Sequence, residues 1–414
     1  MTTHTRNAKA RSFRCINYLA AALAVALPGG LVTGSCGLVL DNFEKYDAVA
    51  HPIEDAGADA EPPCDKLSYP AFPTGVPDTG DIDFVVAVRS IDLGESAPAS
   101  DPVGINLDQT CTCILEEEGS SCIYPPYVKP DNDQCDAKGG VDNAAAKVFK
   151  SILAAVGGDN FGSSFYSEMA EEGEWSLLVR VQGYNGQVDD PKVKFIIYTT
   201  PGFGDMPGGA GGAGGAGGAG GAGGIMPEED PKWDGTDVWS VSKTSLLDEA
   251  SLDMPRYFDD KAYVSKGTLV ANLTESVINF EGTDSKLSIK LTAGTFLGSI
   301  IKPASDSLGW RIVNGTVTGR WRTADLFANL GTFTADNKSF CNDGGFIYKT
   351  FKEKVCGFVD IASVLGGPTT ECDSLSFAMR VQTHPAKLGP LYMPDTSMST
   401  CPPEQNPALD DCGK

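Results

Sequence analysis

The placement of cysteine limits what this chain can fold into more than any other feature. Of twelve cysteines, Cys15 lies in a basic and apolar N-terminal stretch and Cys36 stands just beyond it. Ten remain, namely Cys64, Cys111, Cys113, Cys122, Cys135, Cys341, Cys356, Cys372, Cys401 and Cys412. Five precede and five follow the run from Gly208 to Gly224, which is five Gly-Gly-Ala triplets closed by Gly-Gly. In an exported chain an even set reads as disulfides. If all ten pair, an odd number on each side forces at least one bridge across the repeat. Composition alone makes that run a linker between domains, with an r.m.s. span of roughly 20–25 Å. The cysteines make it instead a loop inserted at 208–224 in one domain, 81–414, or between two halves locked together. Counting does not give connectivity. One assignment has a terminal ring of Cys401 with Cys412, two local bridges among Cys111, Cys113, Cys122 and Cys135, and Cys64 crossing over.

The N-terminus supplies the compartment. Arg6, Lys9, Arg11 and Arg14 precede an apolar run from Ile16 to Leu27 that ends at Pro28-Gly29-Gly30, too short to span a bilayer. Residues 1–35 therefore read as a signal peptide. The stretch L-V-T-G-S-C ending at Cys36 resembles a bacterial lipobox, in which the cysteine is acylated as the leader is removed. Gly34 and Ser35 fit its last two positions, while Thr33 departs from the bulky apolar residue usual there. Lipidation of Cys36 would make a membrane the first partner; the other reading is ordinary leader cleavage, with Cys36 a plain thiol. Gly37 lacks the Asp that sorting rules tie to the inner membrane, so the expected location is the outer membrane or cell surface, or the periplasm. Residues 36–80, rich in Asp, Glu, Pro and Ala, cannot bury enough apolar surface to offset their ordering entropy and read as a tether.

Charge excludes one class of partner. The chain has 32 Lys and Arg against 55 Asp and Glu, a net charge of −23, and the leader removes four of the basic residues and none of the acidic ones. Phosphate backbones are bound through basic patches, so no nucleic-acid surface is expected, and an anionic lipid surface is disfavoured too.

Period-two alternation marks strands at Ile82/Phe84/Val86/Val88, Trp175/Leu177/Val179/Val181, Val193/Phe195/Ile197, Leu287/Ile289/Leu291, Val317/Gly319/Trp321 and Leu375/Phe377/Met379/Val381. Tyr184-Asn185-Gly186 and Asn314-Gly315 read as turns between them, favouring antiparallel pairing. Helical spacing appears from Val141 to Val156, with Asp142 or Asn143 as cap, in a short piece around Phe165 and Met169, and at Ile347, Phe351, Val355, Phe358 and Ala362. The expected fold is mainly β, an antiparallel β-sandwich or jelly-roll-like body with two or three edge helices, stabilised by disulfides.

Chemistry-bearing constellations are sparse. Beyond the leader only His51 and His384 remain, which leaves little for a Ser-His-Asp triad or a multi-histidine zinc site, and His384 reads as a strand-end residue with a satisfied hydrogen bond. The densest acidic cluster, Asp131, Asp133, Asp136 and Asp142, offers oxygen ligands at spacings that suit calcium. It fails as an EF-hand, because Cys135 holds the fifth position and Asp136 the sixth, where that loop needs Gly; a solvated disulfide loop leading into a capped helix is the plainer reading. Trp233 and Trp239 share a side if W-D-G-T-D-V-W is extended, and their faces could stack a sugar; sheet core is the commoner fate of such rings. Glu275 and Glu281 lie about 20 Å apart along one strand at about 3.3 Å per residue, too far for the glycosidase pair, which needs about 5–9.5 Å. No phosphate loop, dinucleotide fingerprint or nucleophile elbow occurs.

Several phrases together resemble a group of predicted lipoproteins and secreted proteins of myxobacteria. They are G-I-N-L-D-Q-T-C-T-C from Gly104 to Cys113, G-G-V-D-N from Gly139 to Asn143, G-Y-N-G, W-D-G-T-D-V-W, V-C-G-F-V-D-I and E-C-D-S-L-S-F-A-M. The resemblance covers most of the chain after residue 80, on both sides of the glycine repeat. It implies export and a single folded unit, and it brings no activity or catalytic residue. The expected role is a non-enzymatic binding or structural module of the cell envelope, with a glycan or an envelope protein as ligand. The alternative is a carbohydrate-active or carbohydrate-binding protein using carboxylates and exposed tryptophans.

Overall fold

The computed structural model describes residues 64, 69–114, 119–129, 134–156, 162–204, 230–281, 285–302, 309–335, 338–364, 369–393 and 401–413. All belong to one compact unit, Glu61–Lys414. The expected leader at 1–35, Cys36 and the Gly/Ala run lie outside the described residues, and so does the expected tether apart from Cys64 and residues 69–80. Those last residues lie against the body: Phe72 packs on Tyr263 with ring centroids 5.3 Å apart, and the Tyr263 hydroxyl donates to the Pro70 carbonyl at 2.8 Å.

Eight antiparallel strands close into a barrel: β1 (Ile82–Asp92), β2 (Ser176–Tyr184), β3 (Asp190–Thr200), β5 (Tyr257–Ser265), β6 (Thr268–Glu281), β7 (Ser285–Ile301), β8 (Arg311–Arg322) and β11 (Ser374–Pro385). Among the described residues four short strands lie outside it. β4 (Val238–Ser242) pairs in parallel with β12 (Lys387–Tyr392), while β9 (Thr334–Ala335) and β10 (Lys338–Ser339) extend from β7. Each barrel strand pairs with the next barrel strand in sequence, and β11 returns to β1. The expected sandwich or jelly roll is therefore corrected to an up-and-down barrel. Alternation reports which side chains share a face, but not whether the two edge strands meet.

Closure is built at the β7–β8 seam. The register slips at Ala293 (φ 42°), where β7 carries an extra residue, and again at Asn314 (φ 51°), where β8 does. Asn314-Gly315, expected as a turn, is thus a bulge inside a strand. Such bulges bend a strand and increase its twist. Across the same seam a Cβ added to Gly294 would overlap the Thr318 carbonyl oxygen, and one on Gly298 would overlap the Ile312 side chain. The strands can approach this closely only without side chains there.

The inner face of the wall is apolar, and over β1–β3 the outer face is apolar too. Val86, Val179, Phe195, Val264, Ala271 and Phe377 point into the interior, and neighbours such as Ala87, Leu178, Ile196 and Tyr198 point out into a second cluster. The inside is filled: Phe195, Phe280, Phe296 and Phe377 are fully buried. At one end Trp310 closes the barrel against Phe84 and Tyr184, at 6.2 and 5.3 Å between ring centroids. At the other end lie the four α-helices found among the described residues, where two or three were expected: α1 (Ala144–Val156), α2 (Ser163–Glu171), α3 (Thr323–Leu330) and α4 (Phe346–Gly357). Tyr166 of α2 meets Phe280 at 4.3 Å, and Phe149 of α1 meets Trp321 at 6.3 Å. Glu95 accepts from Ser163 N and Oγ at 2.6 and 2.7 Å, placing a carboxylate where the α2 amides need acceptors. α4 stops at Gly357, short of Phe358 and Ala362, and it buries Tyr348, Phe351, Val355 and Cys356 while Ile347 is 52% exposed.

All ten cysteines are bridged: Cys64–Cys111, Cys113–Cys135, Cys122–Cys372, Cys341–Cys401 and Cys356–Cys412. Cys122–Cys372 spans 250 residues and crosses the glycine repeat, as the parity argument requires. The suggested terminal ring is corrected. The tail lies along α4, with Asp410 accepting from Lys352 Nζ at 2.6 Å and from the Tyr348 hydroxyl at 2.9 Å. Cys401 and Cys412 are thereby carried to opposite ends of that helix rather than to each other. Cys64 joins Cys111, and Cys122 takes the crossing role.

Candidate functional site

Of the calcium candidates, Asp131 and Asp133 lie outside the described residues. Asp136 and Asp142 come together on the outer face of β8 and β11, joined by Asp108 and Asp360 and by the buried guanidinium of Arg320. Asp142 accepts from Leu107 N at 2.7 Å and Asp108 N at 3.3 Å, and Asp136 accepts from Thr112 N at 2.7 Å and bonds Asp142. Asp360 accepts from Ser376 N and Oγ at 2.8 and 2.5 Å. Arg320 donates to the Ala293 and Leu107 carbonyls at 2.7 and 3.1 Å. Burial pushes the Asp136 carboxyl up to about 7, with Asp108 adding to it, and burial raises Asp360 to about 6. Asp142 is raised as well, by burial and then by its acidic neighbours. Among the described residues no group of three acidic, His or Cys side chains is arranged to hold a metal ion. The contacts described here tie loops to one another and to β7, β8 and β11.

Asn143 extends this clasp. Its amide nitrogen donates to the Leu93, Val103 and Ala378 carbonyls at 3.1–3.2 Å, and its oxygen accepts from Ala378 N and from Ala146 N in the first turn of α1. The expected helix cap is thus present, and the same side chain fastens the helix to β11.

Trp233 and Trp239 meet with centroids 5.4 Å apart, but not along an extended strand. Trp233 has φ 57° in a turn closed by the Asp237 carboxylate, which accepts from Lys232 N and Trp233 N at 3.0 and 2.5 Å. Trp239 is fully buried and Trp233 is 8% exposed, so these rings form the covering of β1–β3. His384 ends β11 with Nδ1 3.2 Å from the Trp233 carbonyl oxygen, and burial followed by Arg89 holds its pKa below the usual value.

An open concavity lies elsewhere. A groove of about 370 Å³ runs between the turn after β4, the start of β5, the middle of β6 and the residue after β12. Its walls are fixed by the fold. Ser245 Oγ accepts from Thr199 N at 2.8 Å, tying the turn to β3, and Arg256 donates to the Thr244 and Leu246 carbonyls at 3.1 Å each. Tyr198 OH donates to the Leu252 carbonyl at 2.8 Å, holding the neighbouring loop. Into this frame project Lys243, Glu249 and the Glu275 carboxylate, 3.0 Å from Lys290 Nζ, over an aliphatic floor of Leu246, Leu247 and Met393. Tyr257 lies at the base, its pKa pushed up to about 12 by burial and then shifted by the opposing charges of Arg256 and Glu275, so its hydroxyl stays a donor at neutral pH. These groups come from four separate segments. Of them sequence reasoning weighed only Glu275, and no local pattern connects the rest. In comparisons with protein-family models, curated proteins and solved structures, nothing matches this chain.

Proposed function

We propose that this protein is an exported binding module of the cell envelope, held to a membrane through a lipid on Cys36, and that it acts without catalysis. The observation that carries this reading is a pre-organised groove on a barrel whose interior is filled. Its walls are fixed by hydrogen bonds before any ligand arrives, which lowers the ordering cost of binding. Five disulfides are compatible with an oxidising, extracytoplasmic compartment. A glycan-array and pull-down screen with the mature protein tests the reading. The expected outcome is a ligand whose capture is lost when groove residues are changed, and a ligand turned over to product would sink the non-catalytic part. Mass spectrometry of the mature N-terminus tests the anchor, with a diacylglyceryl Cys36 expected and an unmodified terminus elsewhere counting against it. The second reading, a carbohydrate-active protein, draws support from Glu249 and Glu275 sharing the groove. The burial of Trp175, Trp233, Trp239 and Trp321 weighs against it.

A further inference from the structure

From the groove's chemistry we infer that its ligand is a short polypeptide segment carrying a basic residue. This rests on the binding-module reading and names the ligand class of the same site. Lys243 lines one part of the groove with an ammonium suited to backbone carbonyls, and Glu249 offers an acceptor for an ammonium or guanidinium, while Arg256 holds the Thr244 and Leu246 carbonyls and Glu275 pairs with Lys290. Tyr257, 7% exposed, closes the base. Between these charges the surface is aliphatic, with Leu247 58% and Met393 46% exposed. A peptide answers all three features, because its amides alternate donor and acceptor while its side chains supply alkyl groups. A sugar prefers a flat aromatic face, and the groove lining contains no tryptophan. The volume of about 370 Å³ stands at the small end of ligand sites, which run to about 1,000 Å³, so the segment is short. The basic residue answers the Glu249 carboxylate, and the charge of the whole chain agrees in sign. A chain with net charge −23 repels acidic ligands and draws cationic ones toward its surface.

The test is fluorescence anisotropy of the full disulfide-bonded protein with fluorescein-labelled acetyl-Ala-Leu-Lys-Leu-Ala-amide and its analogue with Glu at the centre. The Lys peptide is expected to bind saturably and at least tenfold more tightly than the Glu peptide. Glu249→Lys and Leu247→Asp should each weaken it about tenfold; both side chains are exposed, so the melting temperature should not move. Equal binding of the two peptides, unchanged affinity in both variants, or no saturable binding at millimolar peptide would overturn the inference. A glycan or other ligand retained by both variants would remove the peptide groove and leave the binding-module reading standing. Absence of any ligand in the wider screen would remove both.

Discussion

The barrel wall is covered in two different ways. Over β1–β3 the cover is apolar: Trp233, Trp239, Val241 and Leu246 press on Ala87, Leu178, Ile196 and Tyr198, and no disulfide fastens them. Over β8 and β11 the cover adds a polar clasp to smaller apolar clusters around Ile105, Leu107 and Ile361 and around Val359 and Ala362: loops at 104–113, 134–143 and 357–363 meet through Asp108, Asp136, Asp142, Asn143, Asp360 and Arg320, beside three bridges. The apolar cover is held by area removed from water, at about 25 cal/mol per Å². Buried hydrogen bonds add only about 0.5–1.5 kcal/mol each, and buried carboxylates cost free energy unless paired or protonated. The polar cover therefore depends on covalent links and on protons in a way the apolar one does not.

The sharpest attack on that contrast is Trp239→Ala, expected to lower unfolding free energy by about 3–5 kcal/mol in urea denaturation. A loss below 1 kcal/mol would mean the apolar cover is not held by burial. Next comes the pair Cys122→Ala with Cys372→Ala, expected to cost about 2–4 kcal/mol. Hydrogen exchange should rise first at 104–113 and 357–363 and leave β4 protected; uniform loosening would show that the two covers are one cooperative unit. Asn143→Ala leaves the Ala378 amide and the start of α1 without their acceptor, with about 1–3 kcal/mol expected.

The smallest effect separates the covers by sign. Asp136 and Asp360 have folded pKa values raised to about 7 and about 6, so their contribution is complete below the unfolded value near 3.8 and is lost as pH rises through 6 and 7. His384 is depressed by burial, so its contribution is complete above its unfolded value of about 6.5 and is lost as pH falls below that. Exchange at 104–113 should accelerate from pH 5 to 8 beyond the intrinsic rate, by on the order of 1 kcal/mol in opening free energy, and exchange around Trp233 should do the reverse. Asp136→Asn, which keeps an acceptor for Thr112 N and presents a permanent donor to Asp142, should flatten the first profile only. Parallel profiles in the two regions would defeat the contrast.

Much of this architecture is legible in the residues. The alternation at 82–88, 193–197 and 375–381 marks three barrel strands, and the Asn143 cap begins α1 where the pattern places it. Closure is hidden because it depends on two single-residue slips, and Asn314-Gly315 has the composition of a hairpin turn while acting as a bulge. The charged clasp is half visible. Asp136 and Asp142 stand out as an acidic cluster, but their neighbours Asp108, Arg320 and Asp360 arrive from distant parts of the chain, and Arg320 supplies a positive charge that a cation-site reading lacks. The groove is least legible, since its polar groups belong to elements with no shared periodicity.

The points where the chain leaves and re-enters the described body around the glycine run stand side by side. Phe203 and Pro231 both abut Gly173, and Phe203 N donates to its carbonyl at 2.8 Å. Closure entropy grows so slowly with length that doubling the number of residues between two fixed ends costs only about 0.6 kcal/mol. Slippage during replication that adds or deletes Gly-Gly-Ala units is therefore nearly neutral for folding, and triplet number is free to drift between lineages while the barrel stays the same.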